Sequence, residues 1–283
     1  MSAANDIHEA GESGWHAELD IVLRPAAGRT VIAERRSQGP LRVQRPFHPE
    51  GETCHVYLLH PPGGIVGGDR LAVTVRVEAG ARALLTTPGA GKFYRSGGAA
   101  ARQTQHLRIE GDGCLEWLPQ EAIVFDGALA STLTRIDASP EGRCIAWDVV
   151  CLGRPAAGER YESGRFVQRL EVFREGVPVL LEGVAVDGDG DVLRAFWGLG
   201  GRSVCATLIA FPCTAECLAL VGEVLARADG GPPAAATLVD GVLLVRCLGD
   251  GAEAVRGVLT DCRNVLRPRL LGLGVCLPRI WNT

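Results

Sequence analysis

The sequence predicts a mainly β protein with a small α+β unit at its C-terminal end, and three observations carry that prediction. Apolar residues alternate with polar ones in a long series of short runs separated by Gly, Pro or Asp, the period-2 mark of strands with one buried face. The chain of 283 residues holds 37 glycines and only 5% aromatic residues, which suits many short strands and turns better than long helices. Helix-period patterns occur only after Trp197. The strand spacing fits a sandwich, a barrel or a coil of sheets, and the runs alone leave these open.

Met1 to Gly14 carries Asp6, Glu9 and Glu12 with no apolar run, and reads as a disordered start rather than a targeting segment. Residues 15–197 form the β-rich body. It opens with a hairpin, Trp15 to Arg24 and Thr30 to Ser37 around the Pro25 to Gly28 turn, followed by Leu41 to Gln44 and Thr53 to Leu59. After a Pro/Gly loop, Leu71, Val73, Val75 and Val77 alternate with Ala72, Thr74 and Arg76, a half-buried strand. Further strands are expected at Arg82 to Thr87, Gln103 to Glu110, Cys114 to Leu118, Ala122 to Phe125, Ser131 to Asp137, Cys144 to Leu152, Phe166 to Phe173 and Val177 to Val186.

Residues 198–283 read as strand, helix, hairpin, helix. Ser203 to Phe211 is the strand, and a helix capped by Thr214 repeats Leu218, Val221 and Leu225 at helical spacing. Asp240-Gly241 turns the hairpin. The last helix starts around Asp250, lines up Val255, Leu259, Cys262 and Leu266 on one face, and is expected to stop at Pro268. This unit is expected to pack on the body, giving one compact chain.

The net charge is -4, so no global basic field points to nucleic acid or to an anionic membrane. No apolar run is long enough to span a bilayer without interruption, and a cytoplasmic protein is expected. The ten cysteines form no CxxC pair, and without a secretion signal they read as buried thiols used in packing. The two-pair spacing of structural zinc sites is absent.

Several chemical signatures fail on inspection. Gly89-Ala90-Gly91-Lys92-Phe93 has Thr86 where a phosphate loop needs its first glycine and Phe93 where it needs Ser or Thr. Asp187 to Asp191 starts like a calcium loop, but Val192 and Gly198 occupy the required glycine and glutamate positions. The histidines are scattered without helical metal-site pairing, and no GxSxG turn is present.

Three strings remain: PPGGIVGGD from Pro61 to Asp69, TTPGAGKFYRS from Thr86 to Ser96, and EWLPQEAIVFDGA from Glu116 to Ala128. In the first, Gly63-Gly64 and Gly67-Gly68 supply two places where the backbone can take φ > 0 and turn sharply, delivering Asp69 to the mouth of a sheet. With Leu152-Gly153-Arg154-Pro155, Gly158-Glu159 and the ending Pro278-Arg279-Ile280-Trp281, their joint order resembles the UreD (UreH) urease accessory family from Trp15 to Trp281. In this chain Gly91 precedes the motif lysine, where the family more often has Ala, Ser or Thr.

The resemblance implies a mainly β fold, a β-helix-like coil of many short strands with two C-terminal helices, and no catalysis. It implies a chaperone or scaffold that binds UreF, through it the GTPase UreG, and apo-urease, with nickel in transit and no tightly bound cofactor. A relay must release its ion, so oxygen ligands suit it better than imidazole or thiolate. Candidates for such a path are Asp69, Thr86, Thr87, Glu121, Asp148 and Glu182. Asp148 and Glu182 stand out as acids within apolar runs, where burial is costly unless the group is paired or solvated. Lys92, Tyr94 and Arg95 are expected either to pair these acids or to face a partner. A second reading is a cytoplasmic polysaccharide hydrolase or lyase of β-helix or sandwich fold using two of Asp69, Glu121, Asp148 and Glu182; a third is a binding module without an ion path. The scarcity of aromatic residues argues against sugar stacking.

Overall fold

The computed structural model describes residues 14–227 and 230–282, so the expected disordered start lies, apart from Gly14, outside the described residues. Within them the chain winds into a β-solenoid-like coil of about 4 turns. Strands β1 (His16–Ala26) and β2 (Arg29–Gln38) form the opening hairpin, turning at Ala27 and Gly28 with φ of 50° and 78°. Strand β3 (Arg42–Val43) then leads to the coil.

Each turn of the coil sends one strand to each of two facing sheets. The first turn is β4 (Cys54–Leu59) and β5 (Arg70–Val77); the second is β6 (Arg82–Thr86), a short corner strand β7 (Gly91–Phe93) and β8 (Ala101–Ile109). The third is β9 (Cys114–Leu118), corner strand β10 (Ala122–Val124) and β11 (Leu129–Ala138); the fourth is β12 (Arg143–Leu152) and β13 (Arg165–Arg174). Successive turns pair in parallel, β5 with β8 and β11 on one side and β4 with β6 and β9 on the other. At one end the strands reverse tightly, as at Ala79-Gly80 and Gly111 to Gly113, with Gly80 and Gly111 at φ of 74° and 51°. At the other end the connections are long, and all the motif strings lie there.

Strand β14 (Val177–Asp187) closes the first sheet antiparallel to β13 and is followed by a one-turn helix, α1 (Asp191–Arg194), an element the sequence pattern did not signal. The appended unit consists of β15 (Val204–Phe211), α2 (Ala215–Arg227), the hairpin β16 (Ala234–Val239) and β17 (Val242–Gly249), and α3 (Ala252–Leu271). Its strands do not form a sheet of their own. β15 pairs antiparallel with β12, so the coil's second sheet runs on through β15, β17 and β16.

The result is three layers with two cores. Between the sheets lie Leu71, Val73, Val75, Val77, Leu107, Ile136 and their neighbours, as the alternation predicts. On the outer face of the second sheet, Ile145, Trp147, Val149 and Cys151 of β12 pack against the helices. There Val255, Leu259, Cys262 and Leu266 of α3 are all fully buried, each apolar side chain contributing about 1.5–3 kcal/mol.

Pro268 does not end α3, in contrast to the sequence expectation. The helix runs to Leu271 and stops at Gly272, whose φ is 65°. The missing N–H at Pro268 removes one bond in the last turn. Continuing the helix buries Leu270 and Leu271 and holds Arg267 in a buried ion pair, which outweighs that loss.

Candidate functional site

The four motif-bearing connections stack on one another at a single corner of the coil. Ile65 of the first bridges Phe93 of the second, β7 pairs in parallel with β10 of the third, and β10 pairs with the end of β12. Gly153 N donates to Val124 O, adding the Leu152 to Pro155 stretch. Strings separated by about one coil turn in sequence are thus neighbouring rungs.

Several polar groups of these strings are engaged in holding this corner together. Asp69 is 5% exposed, and its carboxylate accepts the N–H groups of Trp15 at 2.8 Å and Val66 at 2.9 Å. Asp126, in the third string, accepts the N–H groups of Glu162 and Ser163 and pairs with Arg95 at 2.6 Å. Burial pushes the Asp126 carboxyl up, but these donors and the Arg95 charge hold it below its usual range. Arg154 pairs with Glu159 and lies over the Phe125 ring, and Tyr94 meets Phe125 edge-on at 4.8 Å. Arg95 therefore pairs with Asp126 rather than with any of the expected path acids. Lys92 has no ion-pair partner among the described residues.

The paired glycines divide their work. Gly63 and Gly68 take φ of 78° and 92°, whereas Gly64 and Gly67 have ordinary φ and are needed for close approach. A Cβ at Gly64 would stand 2.0 Å from the Tyr94 ring, and one at Gly67 would stand 2.6 Å from the Ala99 carbonyl oxygen. Gly67→Ala is expected to cost about 1–3 kcal/mol through overpacking, read as a lower urea midpoint with an unchanged slope.

Behind this corner the core between the sheets is polar along two adjacent rows. On β8 the inward positions run Ala101, Gln103, Gln105, Leu107, and on β11 they run Ala130, Thr132, Thr134, Ile136; the register sets Gln103 beside Thr132 and Gln105 beside Thr134. Gln168 of β13 stands beside Thr132. Across the gap β12 contributes Asp148, whose carboxylate accepts the Thr134 hydroxyl at 2.9 Å. The space they leave is a cavity of about 80 Å³, lined also by Thr87, Gln120 and Glu121. It adjoins a larger and more apolar cleft of about 260 Å³ under the Pro61 to Ile65 and Thr87 to Lys92 loops, and the two share Thr87, Gly91, Gln103, Gln105 and Pro119 as walls. His60 lines the larger cleft; burial pushes its imidazole down, partly offset by the charge of Asp69.

The electrostatics single out Asp148. Burial raises its carboxyl to about 7, against a smaller opposing effect of the Thr134 hydroxyl, and no cation pairs with it among the described residues. Glu121 lies 3.4 Å from Arg256 of α3. The Thr132 hydroxyl has no hydrogen-bond partner among the described residues. The set is oxygen-rich and built of carboxylates, amides and hydroxyls, the chemistry that holds a hydrated divalent cation loosely.

Of the six expected path residues, the fold brings Thr87, Glu121 and Asp148 to one cavity. Asp69 serves its loop. Thr86 lies on the opposite face of the sheet, donating to Leu118 O at 2.6 Å and accepting the indole N–H of Trp281 at 2.9 Å. Glu182, on the edge strand β14, forms a two-pronged pair with Arg246 of β17 and accepts the Thr207 hydroxyl at 3.3 Å. Its place is nevertheless continuous with the site, because Asp148, Thr207 and Arg246 are register neighbours across β12, β15 and β17.

Sequence reading missed Gln103, Gln105, Thr132, Thr134 and Gln168. The signal was present as polar residues at inward positions of otherwise apolar alternations, but only the register aligns those positions across strands. The four acids considered for glycoside chemistry do not form an open catalytic cleft. The cavity shared by Glu121 and Asp148 lies well below the about 300–1,000 Å³ of typical small-molecule sites.

Comparison with known proteins gives a consistent result. The sequence profile described as "UreD urease accessory protein" matches residues 16–282. A urease accessory protein UreD from Dechloromonas aromatica (strain RCB) is 46% identical over 274 residues, covering 95% of each chain. The protein of that name from Klebsiella aerogenes is 44% identical over 272 residues, 96% of this chain and 98% of the relative. The one from Pseudomonas entomophila (strain L48) is 43% identical over the full length of both chains.

Proposed function

Because this chain belongs to the UreD family of urease accessory proteins, we propose that it is the scaffold of urease maturation that binds UreF, through it the GTPase UreG, and apo-urease, and that nickel passes through it toward the urease site. It is an accessory protein and not a catalyst. The observation that carries the transit reading is the polar double row inside an otherwise apolar inter-sheet core. Burying amides, hydroxyls and an unpaired carboxylate costs free energy that apolar residues at the same positions would not. A fold keeps such a row where something polar must enter.

In this reading Asp148, Glu121 and Thr87 are the ligands met by the ion, with Gln103, Gln105, Thr132, Thr134 and Gln168 replacing parts of its water shell. Glu182 and Arg246 stand at the edge of the same layer, Asp69 holds the corner loop in shape, and Thr86 steadies the far face. Nickel is cargo, held briefly, and no resident cofactor is required for transit. Oxygen ligands give up a first-row divalent ion more readily than imidazole or thiolate, and no cysteine lines either cavity.

Partner binding finds support at the surface. Phe196 and Trp197 are 95% and 64% exposed side by side after α1, and aromatic residues in such positions are enriched at the centres of protein interfaces. No helix among the described residues is long and apolar enough to cross a membrane; the maturation role proposed here places the protein in the cytoplasm.

The test is reconstitution of apo-urease with UreF, UreG, GTP, bicarbonate and nickel, with and without this chain. Activation is expected only when the chain is present, and equal activation in its absence would overturn the proposal. Assembly of the complex without any effect of path substitutions on nickel loading would leave the scaffold role and remove the transit role.

A further inference from the structure

The outer face of the second sheet carries a second cluster of donor groups, remote in sequence and of different chemistry from the path. Glu50 lies in the turn before β4, His55 lies on β4, and Cys276 lies in the segment that follows α3. One donor atom from each sits within 4.8 Å of the other two. His55 is fully buried. Its Nε2 stands 2.7 Å from Glu50 Oε1, while its Nδ1 meets no hydrogen-bond partner among the described residues.

Two donors converge on Glu50. Glu50 Oε1 accepts from Arg267 Nη2 at 2.5 Å as well as from His55 Nε2. In the metal-free chain His55 Nε2 donates to Glu50 Oε1. Around the cluster, Arg263 and Arg267 answer Glu116 and Glu50 at 2.5–2.9 Å, so two guanidinium charges balance two carboxylate charges before any ion enters.

We propose that Glu50, His55 and Cys276 form a binding site for one divalent transition ion of borderline softness, of the zinc, cobalt and nickel type, that ties the C-terminal segment to the turn before β4. Carboxylate, imidazole and thiolate together match that class, and calcium or magnesium would find only one oxygen ligand. On binding, the Cys276 S–H bond breaks, its proton leaves to solvent, and the sulfur electron pair forms the S–metal bond. His55 Nε2, beside Glu50 Oε1, binds the ion in place of its hydrogen bond to that oxygen, and the ring hydrogen moves to Nδ1. The thiolate offsets one of the two charges brought in. Arg267 stays behind Glu50 as an orienting partner, a role like that of the outer groups that position metal ligands elsewhere. Glu50 and Cys276 are both half-buried, which leaves an entry route from solvent. The site does not depend on the transit reading.

The test uses the full chain, freed of metal by a chelator and then titrated with Co²⁺. A thiolate-to-cobalt charge-transfer band in the near ultraviolet is expected, saturating at one equivalent, with a rise in Tm on adding Co²⁺ or Zn²⁺. Cys276→Ser is expected to abolish the band and weaken binding at least tenfold, with the same Tm as the unmodified chain in chelator. Cys205→Ser, which alters another half-buried thiol, is expected to leave the band intact. Absence of the band in the unmodified chain, or its survival in Cys276→Ser, would overturn the site. Co²⁺ binding without the band would locate the ion on oxygen ligands, overturning this site and leaving the transit proposal standing.

Discussion

Asp148→Asn is expected to stabilise the metal-free protein at pH 8 while cutting nickel loading of urease by roughly 10–100-fold, the range seen when groups that tune a metal site are lost. The stability arm follows from linkage. An unfolded aspartate has its ordinary value of 3.8, whereas burial holds Asp148 at about 7 in the fold. Between those values the native state keeps a proton that the unfolded state has released, so stability falls as pH rises from about 4 to about 7. The ionised carboxylate then costs on the order of 4 kcal/mol at pH 8 relative to acid. Asparagine has no such ionisation and can still accept the Thr134 hydroxyl through its amide oxygen. Urea unfolding at pH 5 and pH 8 should show a loss of stability with pH in the unmodified chain that is missing from the variant. A variant that keeps the pH dependence would mean that Asp148 is solvated. One that loads nickel at the unmodified rate would take Asp148 out of the path.

Glu116→Ala is expected to have the largest effect on folding. Glu116 is 1% exposed and receives Arg263 at 2.7 Å and Arg267 at 2.9 Å, both of them fully buried. Removing the acid leaves Arg267 with Glu50 and leaves Arg263 with only a long contact to Asn264 at 3.4 Å. Breaking a buried pair by deleting one partner costs about 3–5 kcal/mol, which for a chain of this size lowers Tm by roughly 6–20 °C. Glu116→Leu combined with Arg263→Leu should recover much of the loss, because replacing both partners removes the stranded charge. Calorimetry of the three proteins decides it. A single variant as stable as the parent would mean that α3 is held to the sheet by its apolar face alone.

Much of the fold was legible because it rests on local periodicity. The alternation from Leu71 to Val77 put the right residues on the inner face, Asp240-Gly241 turned the final hairpin, and the helical spacing of Val255, Leu259, Cys262 and Leu266 gave the buried stripe of α3. Pro268 misled because proline costs a helix one bond locally, while the gain from burying Leu270 and Leu271 is tertiary. The site was legible only in part. Asp148 stood out as an acid in an apolar strand, and the structure places it in the polar row. Glu182 looked like Asp148 in sequence and Asp69 ended a glycine loop, yet Glu182 is bound to Arg246 and Asp69 to backbone N–H groups. Nothing local distinguishes a carboxylate that faces a cavity from one that caps a loop.

The sequence by itself determined the strand series, the two amphipathic helices and the ordered strings that mark the UreD family, since each depends on residues within one run or on their order along the chain. The tertiary structure alone decided what lies beside what. Parallel stacking of coil turns brought the strings to one corner and set Gln103, Thr132 and Gln168 side by side across strands, and the return of the chain after α3 set Cys276 against Glu50 and His55. Strand register and helix docking are fixed by burying many apolar side chains together. Polar groups that those contacts carry into neighbouring positions have no signature in the spacing of the residues themselves.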